Sequence, residues 1–155
     1  PDQRLVIEPL NPDDMPGYFL NDFDLAARIL DDLDLPQVQI QFDLWHAARI
    51  EGHAQAVWDR HKARVGHIQI AGFPARNEPG GGGFDLTGLC AAVDAMAYDG
   101  WIAAEYRPTR ATVHGLALVV TPQHCPICTG SPIKCGCRFC LQWFFLQFCP
   151  WVSVF

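Results

Sequence analysis

The sequence predicts an α/β fold built on parallel strands, and three observations lead there. Short runs of strand formers alternate with helical segments that are apolar on one side. Each strand-like run closes on a polar side chain, in order Glu8, Asp43, Gln69 and Glu105. The intervals between these four residues, 35, 26 and 36, suit a strand followed by a helical crossover to a parallel neighbour. Parallel strands point their carboxyl ends the same way, so the four polar residues are expected on one face. That is the face where α/β barrels and open α/β sheets keep their active sites.

The elements follow in order. Arg4-Leu-Val-Ile-Glu8 is a run of strand formers closed by Pro9, and Asn11-Pro12 continues the turn. Asn21 and Asp22 can cap a helix whose apolar positions Leu25, Ala26, Ile29, Leu30 and Leu33 recur at helical spacing, with Pro36 marking the exit. Val38-Gln-Ile-Gln-Phe42 gives the second strand and ends on Asp43, with His46 three residues beyond. Gly52 to Val65 is expected to form a second helix, with Ala54, Val57, Trp58, His61 and Val65 on one side. The third strand, His67-Ile-Gln-Ile70, is stopped by Ala71-Gly72 and Pro74; Arg76, Glu78, Pro79 and four glycines come next, a composition that suits a loop over a site. Asp85 caps a third helix that turns Leu86, Leu89, Cys90, Val93 and Met96 inward, with Gly100 as its stop. Trp101-Ile-Ala-Ala-Glu105-Tyr106 is the fourth strand, ended by Pro108. Trp45, Trp58 and Trp101 are expected in the core, and His53, His61 and His67 carry no functional expectation.

Composition divides the chain in two. All 17 Asp and Glu lie at or before Glu105, whereas Val113 to Phe155 carries only Lys134 and Arg138 as formal charges. The first 112 residues thus hold nine Lys and Arg against 17 acids, a balance of −8. A surface that acidic repels phosphate backbones, which argues against nucleic acid as a partner. Of the seven cysteines only Cys90 lies in the first part, so the body of the protein reads as reduced, intracellular and cytoplasmic. No initiator Met or signal peptide opens the chain, and Pro1 reads as a cut edge.

Three carboxylates and one amide oxygen make a hard, oxygen-only ligand set, which favours Mg²⁺ or Mn²⁺ over Zn²⁺. Four protein ligands leave two octahedral positions for a substrate with adjacent carbonyl and hydroxyl oxygens. A metal held there polarises the carbonyl and stabilises an enediolate, while a neighbouring carboxylate removes the adjacent proton. The pattern points to isomerisation or epimerisation. Glu8 and Glu105, from strands far apart in order, can flank the substrate as acid and base. His46 is placed to hydrogen-bond a substrate oxygen, or to be satisfied within its turn. Arg76 can hold a planar carboxylate through two parallel hydrogen bonds, or pair with Glu78 or another loop acid.

Val6-Ile-Glu8-Pro9-Leu10, Gln41-Phe-Asp43-Leu-Trp-His46, Gly66-His-Ile-Gln69-Ile-Ala-Gly-Phe-Pro-Ala-Arg76-Asn-Glu-Pro79, Tyr98-Asp-Gly-Trp-Ile-Ala-Ala-Glu105-Tyr-Arg-Pro108 and Thr112-Val-His-Gly-Leu116 together resemble the hydroxypyruvate isomerase family. Those enzymes are xylose-isomerase-like TIM barrels, and the resemblance runs from about residue 5 to 118. The block from Gln69 to Pro79 is its most specific part, because sugar 3-epimerases of the superfamily carry His where Gln69 stands. The resemblance implies interconversion of hydroxypyruvate and 2-hydroxy-3-oxopropanoate. It also implies metal ligation by Glu8, Asp43, Gln69 and Glu105, with Glu8 and Glu105 as the catalytic pair. Only four of the barrel's eight β/α units are represented, so residues 1–118 are expected to be the C-terminal half of a TIM barrel. Such a half exposes sheet edges and the apolar interior, from residues such as Val6, Ile40 and Ile68, and is expected to self-associate.

Residues 119–155 depart from that pattern as a Cys- and aromatic-rich tail. Cys125-Pro-Ile-Cys128 and Cys135-Gly-Cys137-Arg-Phe-Cys140 have knuckle-like spacing for a structural Zn²⁺, although the loop between them is short. Leu141 to Phe155 is too short and interrupted to span a bilayer. Two further readings stay open: a non-catalytic fragment or zinc-stabilised binding module, and a sugar epimerase or inosose dehydratase of the same superfamily.

Overall fold

The computed structural model describes residues 3–80, 84–96, 98–110 and 139–140. The elements are β1 (Leu5–Ile7), α1 (Phe23–Leu33), β2 (Val38–Asp43), α2 (Leu44–Glu51), α3 (Ala54–His61), a 3₁₀ turn (Lys62–Arg64), β3 (Val65–Ile70), α4 (Leu86–Ala95), β4 (Ile102–Ala104) and β5 (Phe139–Cys140). The strands form one parallel sheet in chain order, β1-β2-β3-β4-β5. A doubly wound sheet would reverse its order partway and carry helices on both faces. Here Phe23 and Ala26 of α1, Val57 and Trp58 of α3, and Leu86, Leu89 and Val93 of α4 join Ile40, Phe42, Ile68 and Ile70 in one apolar cluster. Helices therefore cover one face of the sheet, as in part of a TIM barrel.

Rings fill the middle of this cluster. Phe42 packs on Trp58 with centroids 5.4 Å apart and on Phe23 at 5.7 Å, and all three rings are fully buried. Strand parity fixes what the other face carries. Ile40 and Phe42 point to the helices, so Gln39, Gln41 and Asp43 turn the opposite way. The expectation that Ile40 and Ile68 form an apolar barrel interior is corrected accordingly: both are fully buried on the helix side, and Gln41, His67 and Gln69 occupy the other face. The register between β2 and β3 shifts at Ile40/Gln41, where Gly66 is the additional residue. A Cβ on Gly66 would collide with the Gln39 side chain, so glycine lets the two strands stay paired.

Caps set the helix boundaries. Asp22 accepts from Leu25 N at 2.6 Å at the start of α1, and Asp85 accepts from Gly88 N at 2.8 Å at the start of α4. The helix expected from Gly52 to Val65 is shorter, with α3 at Ala54–His61, the 3₁₀ turn at Lys62–Arg64 and Val65 already opening β3, and a further helix that the patterning did not suggest precedes it. Asp43 caps α2 directly after β2, and α2 ends at Gly52, whose φ of 78° is a left-handed stop; α3 then starts at Ala54. Helix α4 ends at Ala95 with Met96 as its cap, well before Gly100, and Met96 is exposed. Trp58 is core as expected, Trp45 is buried beside the strand ends, and Trp101 lies at the surface with 47% of its area exposed. Gly81 to Gly83 and the cysteine spacing from Cys125 to Cys137 lie outside the described residues. The backbone of Phe139–Cys140 pairs with β4.

Candidate metal centre

Glu8, Asp43, Gln69 and Glu105 all stand at the carboxyl ends of strands, and the sheet gathers them into two linked pairs. Gln41, two residues before Asp43 and on its face, joins the first pair. Its Nε2 donates to Glu8 Oε2 at 2.7 Å and to Gln69 Oε1 at 2.8 Å. Arg76 joins the second pair, with Nη2 at 2.8 Å from Asp43 Oδ2 and 3.1 Å from Glu105 Oε2. Gln41, Asp43 and Gln69 are buried.

Asp43 divides its oxygens between fold and site. Oδ1 accepts from Trp45 N at 2.7 Å and His46 N at 3.3 Å as the cap of α2, while Oδ2 faces Arg76. The loop after β3 holds Arg76 at φ 58°, a left-handed conformation that costs a non-glycine residue about 1–3 kcal/mol. Gly72 N donates to Asn77 O at 2.8 Å, Arg107 N to Arg76 O at 2.6 Å, and Trp45 Nε1 to Pro74 O at 3.0 Å. The Arg76 guanidinium stacks 4.8 Å from the centre of the Trp45 ring. Glu78 is not its partner; Glu78 instead accepts from Thr109 N at 2.9 Å and Thr109 Oγ1 at 3.2 Å.

His46 lies across the site, with Nδ1 3.0 Å from Asn11 N and Nε2 4.0 Å from Asp43 Oδ2. Burial lowers its pKa, and the charge of Arg76 adds to that, against the opposing pull of Asp43. Glu8 is held well above the usual carboxylate range by burial first, then by the charges of Asp43 and Glu105. Glu105 is raised by burial and by Asp43. Burial alone would lower the Arg76 pKa, yet Asp43, Glu105 and Glu8 raise it on balance.

Three carboxylates against one guanidinium leave an excess of two negative charges when all are ionised, the charge a divalent cation carries. Glu8 Oε1 is buried without a hydrogen-bond partner, an unsatisfied hard oxygen on the carboxylate whose Oε2 is held by Gln41. The donor set therefore fits a hard divalent ion. By distance alone Glu8, Asp43 and His46 also qualify, since each offers one ligand atom within 4.8 Å of the others.

Gln41 and Asn11 are the contributors that motif spacing did not single out. Gln41 was visible as the residue at i−2 from Asp43, hence on the same sheet face. Asn11 read only as a turn former, yet it is fully buried against His46. Among the described residues no helix is long and apolar enough to cross a membrane.

The geometry agrees with known proteins over the same span. Residues 2–120 match the model of the xylose isomerase-like TIM barrel family. The chain is 43% identical to the 2-oxo-tetronate isomerase of Cupriavidus necator over 112 residues, 72% of this chain and 43% of that protein. It is 36% identical to the hydroxypyruvate isomerase of Escherichia coli over 115 residues, 74% of this chain and 45% of that protein. The crystal structure of an AP endonuclease, family 2, from Brucella melitensis superposes with a TM-score of 0.69 at 33% identity, covering 74% of this chain and 44% of that one. The chain thus spans less than half the length of the curated relatives it matches. With strands in barrel order, helices on one face and polar strand ends gathered on the other, this chain belongs to the xylose isomerase-like TIM barrel family.

Proposed function

We propose that these residues belong to an isomerase of small 2-keto acids, with hydroxypyruvate and 2-hydroxy-3-oxopropanoate as the interconverting pair. The observation that carries this reading is the gathering of all four residues at the strand ends, Glu8 and Gln69 joined through Gln41, and Asp43 and Glu105 through Arg76. Mg²⁺ or Mn²⁺ bound by those four residues would polarise the substrate carbonyl and hold negative charge on adjacent oxygens.

The remaining roles fall to the chain's own groups. Glu8 and Glu105 follow β1 and β4, so they flank Asp43 and Gln69 from the two sides. One removes a proton from the substrate carbon bearing the hydroxyl, the other returns a proton at the neighbouring carbonyl carbon, and the hydroxyl proton passes to the former carbonyl oxygen, so that carbonyl and hydroxyl exchange places. The raised pKa values of both groups suit this division, because one must be protonated while the other is not. Gln41 holds Glu8 and Gln69 in position, and His46 offers a hydrogen bond to a substrate oxygen.

Arg76 favours an acid over a neutral sugar. Its Nη2 pairs with Asp43 and Glu105, a contact that an ion at Asp43 Oδ2 would displace, while Nε is buried without a hydrogen-bond partner and suits a substrate carboxylate oxygen. Two of the relatives carry names of isomerases acting on 2-oxo acids, which supports the same substrate class. The likeness to a protein titled AP endonuclease does not extend to nucleic acid here, since the net charge of −6 opposes a phosphate backbone. The test is calorimetric titration of Mg²⁺ and Mn²⁺ into the chain, followed by a hydroxypyruvate turnover assay on the full-length protein. Binding that vanishes in Asp43→Ala, with turnover abolished by Glu8→Gln, is the expected outcome. Metal binding unaffected by Asp43→Ala and Glu105→Ala would overturn the assignment.

A further inference from the structure

We propose that Asn11 is a positioning residue: it fixes His46 as the tautomer protonated on Nε2, so that His46 faces the site as a hydrogen-bond donor and not as a metal ligand. The identity of the substrate oxygen that receives this bond rests on the function proposed above. The tautomer does not.

The argument runs through donor and acceptor roles. A backbone N–H can only donate, and Asn11 N lies 3.0 Å from His46 Nδ1. The Asn11 side chain is oriented independently of His46. Its Oδ1 accepts from Asp14 N at 3.1 Å, and its Nδ2 donates to Asp14 Oδ2, also at 3.1 Å. That places the same Nδ2, a second pure donor, 2.9 Å from His46 Nδ1. Two donors therefore converge on Nδ1, which must answer with its lone pair. A neutral imidazole carries one N–H, so the proton sits on Nε2.

A metal ligand needs the opposite arrangement, with a lone pair on the nitrogen that faces the ion. Glu8, Asp43 and His46 have the residue types and spacing of a metal triad, but the Asn11 contacts assign His46 another task. Its Nε2, 4.0 Å from Asp43 Oδ2, is too far for a direct hydrogen bond and carries a proton toward that side of the site. The turn bearing Asn11 is tied to the helix bearing His46, because Arg49 of α2 donates to Asp13 at 2.6 Å. Asn11 is fully buried, so water does not compete for these bonds.

Long-range ¹H–¹⁵N correlation of the histidine rings in the ¹⁵N-labelled 155-residue chain reads the tautomer directly, with His46 assigned by loss of its signals in His46→Gln. The expected pattern is an unprotonated Nδ1 and a protonated Nε2, unchanged when Mg²⁺ is added. Asn11→Asp replaces a donor by an acceptor and should shift proton occupancy toward Nδ1. Asn11→Ala keeps the backbone donor and should retain the Nε2–H form. With Co²⁺ as a second probe, the wild type should show the weak absorption of an octahedral oxygen-ligated ion, and Asn11→Asp should gain intensity from nitrogen ligation. Protonated Nδ1 in the wild type, or loss of the Nε2 proton on adding Mg²⁺, overturns the proposal. So does an Asn11→Asp spectrum identical to wild type. If no divalent ion binds, the proposed function fails, and the metal-free wild-type spectrum still decides the tautomer.

Discussion

Arg76→Ala tests the electrostatic design of the site most directly. The substitution removes one guanidinium from between Asp43, 1% exposed, and Glu105, 30% exposed. A solvent-exposed pair would contribute only about 0–1 kcal/mol. Removing one partner of a buried pair costs about 3–5 kcal/mol, because the remaining charge is left uncompensated. Arg76 is 15% exposed and Glu105 is partly solvated, so the low end of the buried range applies, about 3 kcal/mol. For a chain of this length that corresponds to a fall in Tm of roughly 6–12 °C. Mg²⁺ at about 100 times its Kd adds about 2.7 kcal/mol to any state it binds. The variant should gain more from a given Mg²⁺ concentration than the wild type, since no guanidinium has to leave Asp43 Oδ2. The assay is urea unfolding followed by circular dichroism, with chelator and with Mg²⁺, on wild type, Arg76→Ala and Arg76→Lys. A loss below about 1 kcal/mol would place the pair among surface ion pairs. Equal Mg²⁺ stabilisation of wild type and Arg76→Ala would refute the competition between guanidinium and ion.

Four further outcomes are expected. Glu105→Ala should weaken Mn²⁺ binding in calorimetry while leaving the α2 cap intact, whereas Asp43→Ala should lose both, seen as lower helicity. Because Glu8 and Glu105 are raised in the folded chain, their stabilising contribution is full below the unfolded carboxylate range and lost as pH rises through their folded values; denaturation of the metal-free chain should therefore show stability falling in that window. Arg76→Lys in the full-length protein should lower kcat/KM for keto acids by roughly 10 to 100-fold and spare uncharged ketoses, the equivalent of losing about 1.5–3 kcal/mol from a charged hydrogen bond. Trp58→Ala, which empties the space between Phe42 and its neighbours, should cost about 3–5 kcal/mol by urea denaturation without altering the strand-end residues.

Where the sequence was legible, local rules and global order agreed. Strand formers ending on Glu8, Asp43, Gln69 and Glu105 became parallel strands whose ends converge, because connection length alone restricts such segments to crossovers. Helix α2 is not legible from strand patterning, because Asp43 both ends a strand and caps the helix behind it. A cap at Asp43 with a glycine stop at Gly52 was the available signal. The partner of Arg76 was not readable from neighbours in sequence. Glu78 is two residues away, but the left-handed turn at Arg76 sends the guanidinium to Asp43 and Glu105, which are distant in the chain. Asn11 was hidden for a similar reason, since nothing local says that a turn asparagine will be buried against a histidine 35 residues on.

The cap at the head of α2 also bears on ion selectivity. With Asp43 Oδ1 held by two backbone amides, the carboxylate cannot swing round to grip an ion with both oxygens. Calcium draws much of its binding from wide, flexible shells of six to eight oxygens that include bidentate carboxylates, whereas magnesium asks for single oxygens at near-ideal octahedral angles. At the proposed metal site, a carboxylate immobilised by the helix behind it would therefore discriminate by size and angle before any substrate arrives, and the stiffness of the backbone would act as a filter for the smaller ion.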